Sequence, residues 1–189
     1  MLTREQIQAL IPHQGTMCLL DRVLAWSAAE ITCTASSHLA PRNPLRRDGR
    51  LGAICGIEYG LQAAALHGAL VQSAGKLAAS AREPAEPRAL EPAQPPAALA
   101  AWAQAAQAPA IGADATDMRT PLPAYLAALR TVELYVERLD DPAVGLLQIT
   151  AAADLVALNG SIYRLTVASE SGRPLMRGRA TIICPEAPA

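Results

Sequence analysis

Alternating apolar and polar residues in the last third of the chain predict an antiparallel β-sheet. A period of two is typical of strands buried on one face only. Strands are expected at residues 132–136, 146–158 and 161–168, and again after a Ser-Gly-Arg-Pro turn at 171–174; a shorter hairpin over residues 21–36 turns at 27–30. The positions expected to face the core in the last third are Val132, Leu134, Val136, Tyr163, Leu165, Val167, Met176, Ala180 and Ile182.

A long helix is predicted to cover the apolar face of this sheet. From Gly56 to about Gln72, apolar or small residues reach most of the way round a helix, as expected for one that a sheet wraps. A short amphipathic helix precedes it near the N-terminus. Together these elements predict an α+β fold with a long central helix wrapped by a curved antiparallel sheet.

Residues 73–123 differ in composition from the rest, because alanine dominates them and prolines recur. The segment has too few large apolar residues to form a core of its own. We therefore expect one domain over residues 1–189, with 73–123 an insertion or surface excursion that includes a short helix around Trp102.

Overall composition excludes several classes of protein. The 189 residues are 51% hydrophobic with a formal net charge of -1, and no basic run or aromatic platform favours nucleic acid. The four cysteines are scattered, which predicts no zinc site, disulfide framework, metal or cofactor. Polar residues interrupt the best candidate for a membrane span, and no signal peptide is recognisable, so a cytoplasmic location is expected.

Glu58 is the one acid in the predicted central helix and lies in its first turn. Burial of a carboxylate is costly unless it is paired or protonated. One explanation is electrostatic, since an acid near a helix N-terminus complements the helix dipole. The other is chemical, because a helix start such as Gly56-Ile57-Glu58 is suited to holding a polarised carbonyl oxygen.

The three histidines are predicted to differ in role. His38, in the loop before the central helix, is a candidate base near neutral pH, or else an exposed loop residue. His13 is expected to be structural, with ring nitrogens bonded to backbone. His67 is too far from Glu58 to cooperate with it and is expected to serve packing or an interface. Cys55 is expected to be a small buried residue.

A histidine base and a carboxylic acid at a helix N-terminus suit the removal of water from a 3-hydroxyacyl thioester. A base takes the proton beside the carbonyl, an amide stabilises the enolate oxygen, and an acid protonates the leaving hydroxyl. His38, the Gly56 amide and Glu58 are the candidates for these roles.

Several short elements, in order, resemble the hot-dog-fold 3-hydroxyacyl-[acyl-carrier-protein] dehydratases. They are Ile11-Pro12-His13-Gln14-Gly15, Leu19-Leu20-Asp21-Arg22-Val23, Gly56-Ile57-Glu58-Tyr59-Gly60-Leu61-Gln62 and the strand-like residues 124–130. Residues 43–46 and 56–59 further resemble the branch associated with aryl polyene pathways. The resemblance implies a hot dog fold, dimerisation, and a catalytic histidine and acid contributed by different subunits.

Carried over by residue, the resemblance makes Glu58 the acid, Gly56 the oxyanion amide and Gln62 a support for Glu58. The family's Gly-His-Phe-Pro segment, which holds the base, is absent. Counting back from Glu58 by the usual gap leads to Asn43, which cannot act as a base and is placed with His13 among the supporting residues. Either His38, 20 residues before Glu58, still reaches the site and serves as the base, or the base has been lost.

Three functions remain open from the sequence. The first is dehydration of a 3-hydroxyacyl thioester, carried on acyl carrier protein, to the trans-2-enoyl product. The second is a non-catalytic hot dog subunit that pairs with an active dehydratase, and the third is a hot dog thioesterase. Arg46, Arg47 and Arg50 form a basic cluster that suits a carrier protein or its phosphopantetheine, or is a solvated surface. A homodimer or heterodimer is expected.

Overall fold

The computed structural model describes residues 1–80, 125–157 and 159–183, which form one antiparallel sheet and two α-helices. The strands lie in the order β1-β2-β4-β5-β6-β3, each antiparallel to its neighbours. The helices are α1 (Arg4–Leu10) and α2 (Gly56–Ser80), and the strands are β1 (Arg22–Trp26), β2 (Glu30–Ala35), β3 (Tyr125–Leu134), β4 (Leu147–Ala157), β5 (Gly160–Ala168) and β6 (Pro174–Ile183).

The long helix α2 packs against four strands of the sheet, as predicted. Its first turns lie very close to the sheet because two glycines face it. A Cβ on Gly56 would lie 3.1 Å from the Met176 side chain, and one on Gly60 would lie 2.9 Å from Leu165. The core is a single cluster between α2 and the sheet. The predicted α+β fold is confirmed.

The helix is longer than predicted, since it ends at Ser80 rather than near Gln72. Residues 73–80 therefore belong to α2 and not to the expected excursion, because alanine is the best helix former and no proline interrupts the chain before Pro84. The rest of the 73–123 segment, with Trp102, lies outside the described residues.

By length and composition alone, residues Ala53–Gly75 pass as a membrane span, contrary to the expectation from their polar residues. Half of the most apolar window is buried inside the fold. A core helix wrapped by a sheet meets the same criteria, and this is the position that α2 has.

The local predictions for the sheet hold over β1, β2, β5 and β6. Tyr163, Leu165 and Val167 are buried, and so are the predicted inward positions of β6. Gly172, with φ 83°, forms the turn between β5 and β6, and the Ser27 amide donates to the Glu30 carbonyl in the β1–β2 turn.

The alternation predicted for β3 is wrong in detail. A bulge interrupts its pairing with β6 between Arg130 and Glu133, and Thr131 there has φ 51°. A bulge adds a residue and shifts the pattern of the side chains that follow. Leu134 is therefore 47% exposed, while Val132 and Val136 are half-buried.

Candidate active site

The carboxylate of Glu58 lies in the first turn of α2 and is held from two sides. His13 Nε2 is 3.2 Å from Glu58 Oε1, and Gln62 Nε2 donates to the same oxygen over 3.0 Å. The Glu58 side chain is 28% exposed, so solvent or substrate can reach it. The partners explain how an acid is accommodated at the start of a buried helix.

The contact of His13 with Glu58 differs from the prediction that its ring bonds to backbone. Nε2 meets the carboxylate, whereas Nδ1 is buried with no hydrogen-bond partner among the described residues. The two residues are 45 positions apart, so the contact depends on how the segment before β1 folds over α2. No spacing in the sequence predicts it.

Gln62 joins Glu58 to the segment before β1. Besides its bond to Glu58, its amide donates to the Met17 carbonyl over 2.8 Å, and its Oε1 accepts from the Leu19 amide over 2.9 Å. Gln62 is fully buried. Its contact with Glu58 follows from the spacing of four residues on one helix.

Asn43 supports the loop that leads from β2 to α2. Its amide donates to the Ser37 carbonyl over 2.9 Å and to the Tyr59 hydroxyl over 3.0 Å. Ser37 also meets the Tyr59 hydroxyl, and burial raises the pKa of Tyr59 to about 12. Asn43 thus fixes the loop to the residue next to Glu58.

His38, the candidate base, is fully buried in a 3-10 turn after β2. Its ring lies beside the Gly145 backbone, and neither nitrogen makes a hydrogen bond of ordinary geometry with the described residues. Burial lowers the pKa of His38. No direct contact in the described part of the chain joins it to Glu58.

His67 and Cys55 occupy structural positions. The ring nitrogens of His67 lie 2.8 Å from the Tyr163 hydroxyl and 2.8 Å from the Ser27 carbonyl, which joins α2 to β5 and to the β1–β2 turn. Cys55 is half-buried, and burial raises the pKa of its thiol. His67 thus has a packing role, one of the two predicted for it, whereas Cys55 is less buried than predicted.

The backbone amide of Gly56 already donates hydrogen bonds within the chain. It donates to the carbonyls of Ala53 and Ile54, because a 3-10 turn over Ala53–Cys55 runs directly into α2. The free oxyanion donor implied by the resemblance is therefore not present in this conformation. The close packing of Gly56 on Met176 gives a second reason for glycine there.

Arg46 is a structural residue rather than an exposed contact for a carrier. Its guanidinium donates to Asp140 over 2.7 Å and to the carbonyls of His38, Ala40 and Gly49. Because these bonds use its guanidinium, Arg46 is not available to bind a carrier protein. Arg50 remains exposed, 3.8 Å from the exposed Glu137.

A cavity of about 410 Å³ opens between the 3-10 turn at Gly15–Met17 and the loop after β2. Ser37 and Asn43, which hold Tyr59, line one side of it. Arg42 is exposed at its edge. The cavity places two basic and several neutral polar side chains close to the start of α2.

Comparison with known proteins identifies the class. Residues 5–81 match the ApeP-like family, described as ApeP dehydratase, and this region contains His13, Glu58 and Gln62. The fold is similar to the dehydratase heterocomplex ApeI:P from Xenorhabdus doucetiae, at 17% identity and a TM-score of 0.63 over 98% of this chain and 93% of that chain. A thioesterase from Haemophilus influenzae is similar at 11% identity and a TM-score of 0.52, over 97% and 90% of the two chains. No curated protein sequence matches.

The sheet wrapped around one helix is thus a hot dog fold. Within that fold, the segment that builds the Glu58 site is similar to ApeP-like dehydratases over residues 5–81, and the predicted resemblance to hot dog dehydratases is confirmed.

Proposed function

We propose that this chain is one subunit of a dehydratase that converts 3-hydroxyacyl thioesters to trans-2-enoyl thioesters. The observation that carries the proposal is Glu58, a half-exposed carboxylate held at the start of a buried helix by His13 and Gln62. All three residues lie in the segment that matches ApeP-like dehydratases.

In the proposed reaction, Glu58 acts as the general acid. A base removes a proton from C2 of the acyl group, the C2–C3 double bond forms, and the C3–O bond breaks. Glu58 gives its proton to the departing hydroxyl, which leaves as water. An acid at this step lowers the barrier because hydroxide is a poor leaving group.

The base is proposed to come from a second hot dog subunit. Within one chain, the described contacts of Glu58 are with His13 and Gln62, and His38 is fully buried beside Gly145 without a direct contact to Glu58. The heterocomplex of the similar ApeI:P structure supports a partner of the same fold. His38 of a like partner remains the candidate base if the dimer is homomeric.

An acyl carrier protein is the proposed source of the thioester, in fatty-acid- or aryl-polyene-type biosynthesis in the cytoplasm. Arg50 is exposed on the loop before α2, and Arg42 and Arg47 are exposed on the same loop. Basic side chains near an active-site entrance attract an acidic carrier and the phosphate of its prosthetic group. Arg46 is not included, because Asp140 and three carbonyls occupy it.

The test is incubation of a 3-hydroxyacyl carrier substrate with the purified chain, alone and co-expressed with the other subunit of the similar ApeI:P heterocomplex. Mass spectrometry of the carrier separates loss of water from loss of the acyl group. Enoyl carrier formed by the pair supports the proposal. Free acid and unloaded carrier would instead establish a thioesterase, and an unchanged substrate with the folded pair would refute both.

A further inference from the structure

We infer that His13 is a positioning residue for the dehydration reaction. This inference rests on the function proposed above. His13 holds one oxygen of Glu58, Oε1, so that the other oxygen, Oε2, carries the transferred proton and faces the substrate. The sequence predicts only a structural, supporting role for this histidine, and the family match assigns it none.

The first observation is that both partners of Glu58 contact the same oxygen. His13 Nε2 and Gln62 Nε2 lie 3.2 Å and 3.0 Å from Oε1. Oε2 has no hydrogen bond with any residue in the described ranges. Two donors on one oxygen of a carboxyl group favour the proton on the other oxygen, since a protonated Oε1 would face the N–H groups.

The second observation concerns the state of the His13 ring. Nδ1 is buried and has no partner in the described part of the structure. A proton on a buried, unpaired nitrogen carries a desolvation penalty, whereas a proton on Nε2 is directed at Glu58. Hydrogen on Nε2 rather than on Nδ1 alone is therefore favoured, and His13 is the donor in this contact.

The third observation is that His13 and Gln62 are fixed to the same segment of chain. Gln62 is bonded to the backbone of Met17 and Leu19. The loop that carries His13 is closed by Gln14, whose amide donates to the Gln8 and Ile11 carbonyls over 2.7 and 3.2 Å. His13, which lies in the segment before β1, and Gln62, which is bonded to that segment, therefore contact Oε1 together. These two contacts restrict rotation of the carboxyl group.

Substitution of His13 tests this role in the active pair of subunits. His13→Ala should lower kcat by about 10- to 100-fold and leave KM nearly unchanged, since misorientation of a catalytic group slows the chemical step without removing substrate contacts. His13→Gln places an amide donor near the position of Nε2 and should recover most of the loss. Gln14→Ala is the comparison, because it loosens the same loop but keeps the His13 ring, and it should therefore lower kcat less than His13→Ala does.

Failure of His13→Gln to exceed His13→Ala, or an equal loss in Gln14→Ala, would overturn the positioning role. A second readout does not need activity. Nitrogen-15 NMR of the His13 ring should show hydrogen on Nε2 in the wild type, and hydrogen on Nδ1 alone would refute the donor assignment. If the wild-type pair forms no enoyl product, the proposed function fails, while the NMR result still decides whether His13 donates to Glu58.

Discussion

Replacement of Asp140 by Asn should destabilise the fold strongly, because Asp140 joins two arginines beside the active-site loop. Its side chain is 1% exposed and accepts from Arg138 over 2.7 and 2.8 Å and from Arg46 over 2.7 Å. The hydrogen bonds from Arg138 hold the pKa of Asp140 well below its usual range.

Removal of one partner from a buried ion pair costs about 3–5 kcal/mol, because the remaining charge stays in a poorly solvated place. Arg46 is 16% exposed and Arg138 is 43% exposed, so water can solvate Arg138 when its partner is lost. We therefore expect Asp140→Asn to lower the free energy of unfolding by about 3 kcal/mol, the low end of that range.

The control is Asp154→Asn, since Asp154 also contacts two arginines but lies on the outer face of the sheet. Its partners Arg164 and Arg179 are 66% and 49% exposed. Exposed pairs of this kind contribute less than about 1 kcal/mol. Urea unfolding of the three proteins at pH 7 measures both differences, and equal losses in the two variants would refute the importance of burial at Asp140.

The pH dependence of stability tests the same contact, because the direction of its change can be predicted. A carboxyl group whose pKa is lowered by folding stabilises the protein above its unfolded pKa, and this stabilisation is lost as the pH falls toward the folded pKa. The difference between wild type and Asp140→Asn should therefore be full at pH 7 and shrink progressively below about pH 5. A difference that grows on acidification would contradict the account.

Three further predictions concern α2 and its contacts. Gly60→Ala should destabilise the fold by about 1–3 kcal/mol, because its Cβ would meet Leu165 at 2.9 Å. Gly68→Ala has open space around it and should stabilise the fold by up to about 1 kcal/mol, and urea unfolding of the two variants measures both effects. Tyr59→Phe should cost about 1–2 kcal/mol by chemical denaturation, since it leaves buried polar partners unpaired. Burial lowers the pKa of His67, so wild-type stability should fall as the pH drops below about 6.5, and His67→Gln should reduce that slope.

Features that depend on neighbouring residues could be predicted from the sequence. The turns at Ser27–Glu30 and Ser171–Pro174, the start of α2 at Gly56 and the spacing of Glu58 and Gln62 all follow from local pattern. The resemblance of these elements to hot dog dehydratases then predicted a long helix wrapped by a curved antiparallel sheet. In each case the evidence lies within a few residues of the chain.

The features that the sequence did not predict depend on distant contacts. His13 reaches Glu58, and Arg46 reaches Asp140 94 positions away, only when the loops around α2 are in place. The burial of His38 likewise depends on its packing beside Gly145. Isolated polar residues in loops give no periodic signal, so their partners appear only in the structure.

The most direct test of the central claim is single-turnover dehydration by the complex with Glu58→Gln, beside wild type and Glu58→Asp. Gln keeps the shape and the contacts at Oε1 but has no acidic proton to give. We expect formation of the enoyl carrier to fall by at least about a hundredfold in Glu58→Gln, with the complex intact and the carrier still bound. Wild-type rates in Glu58→Gln would show that Glu58 is not the acid and would contradict the mechanism proposed for this site.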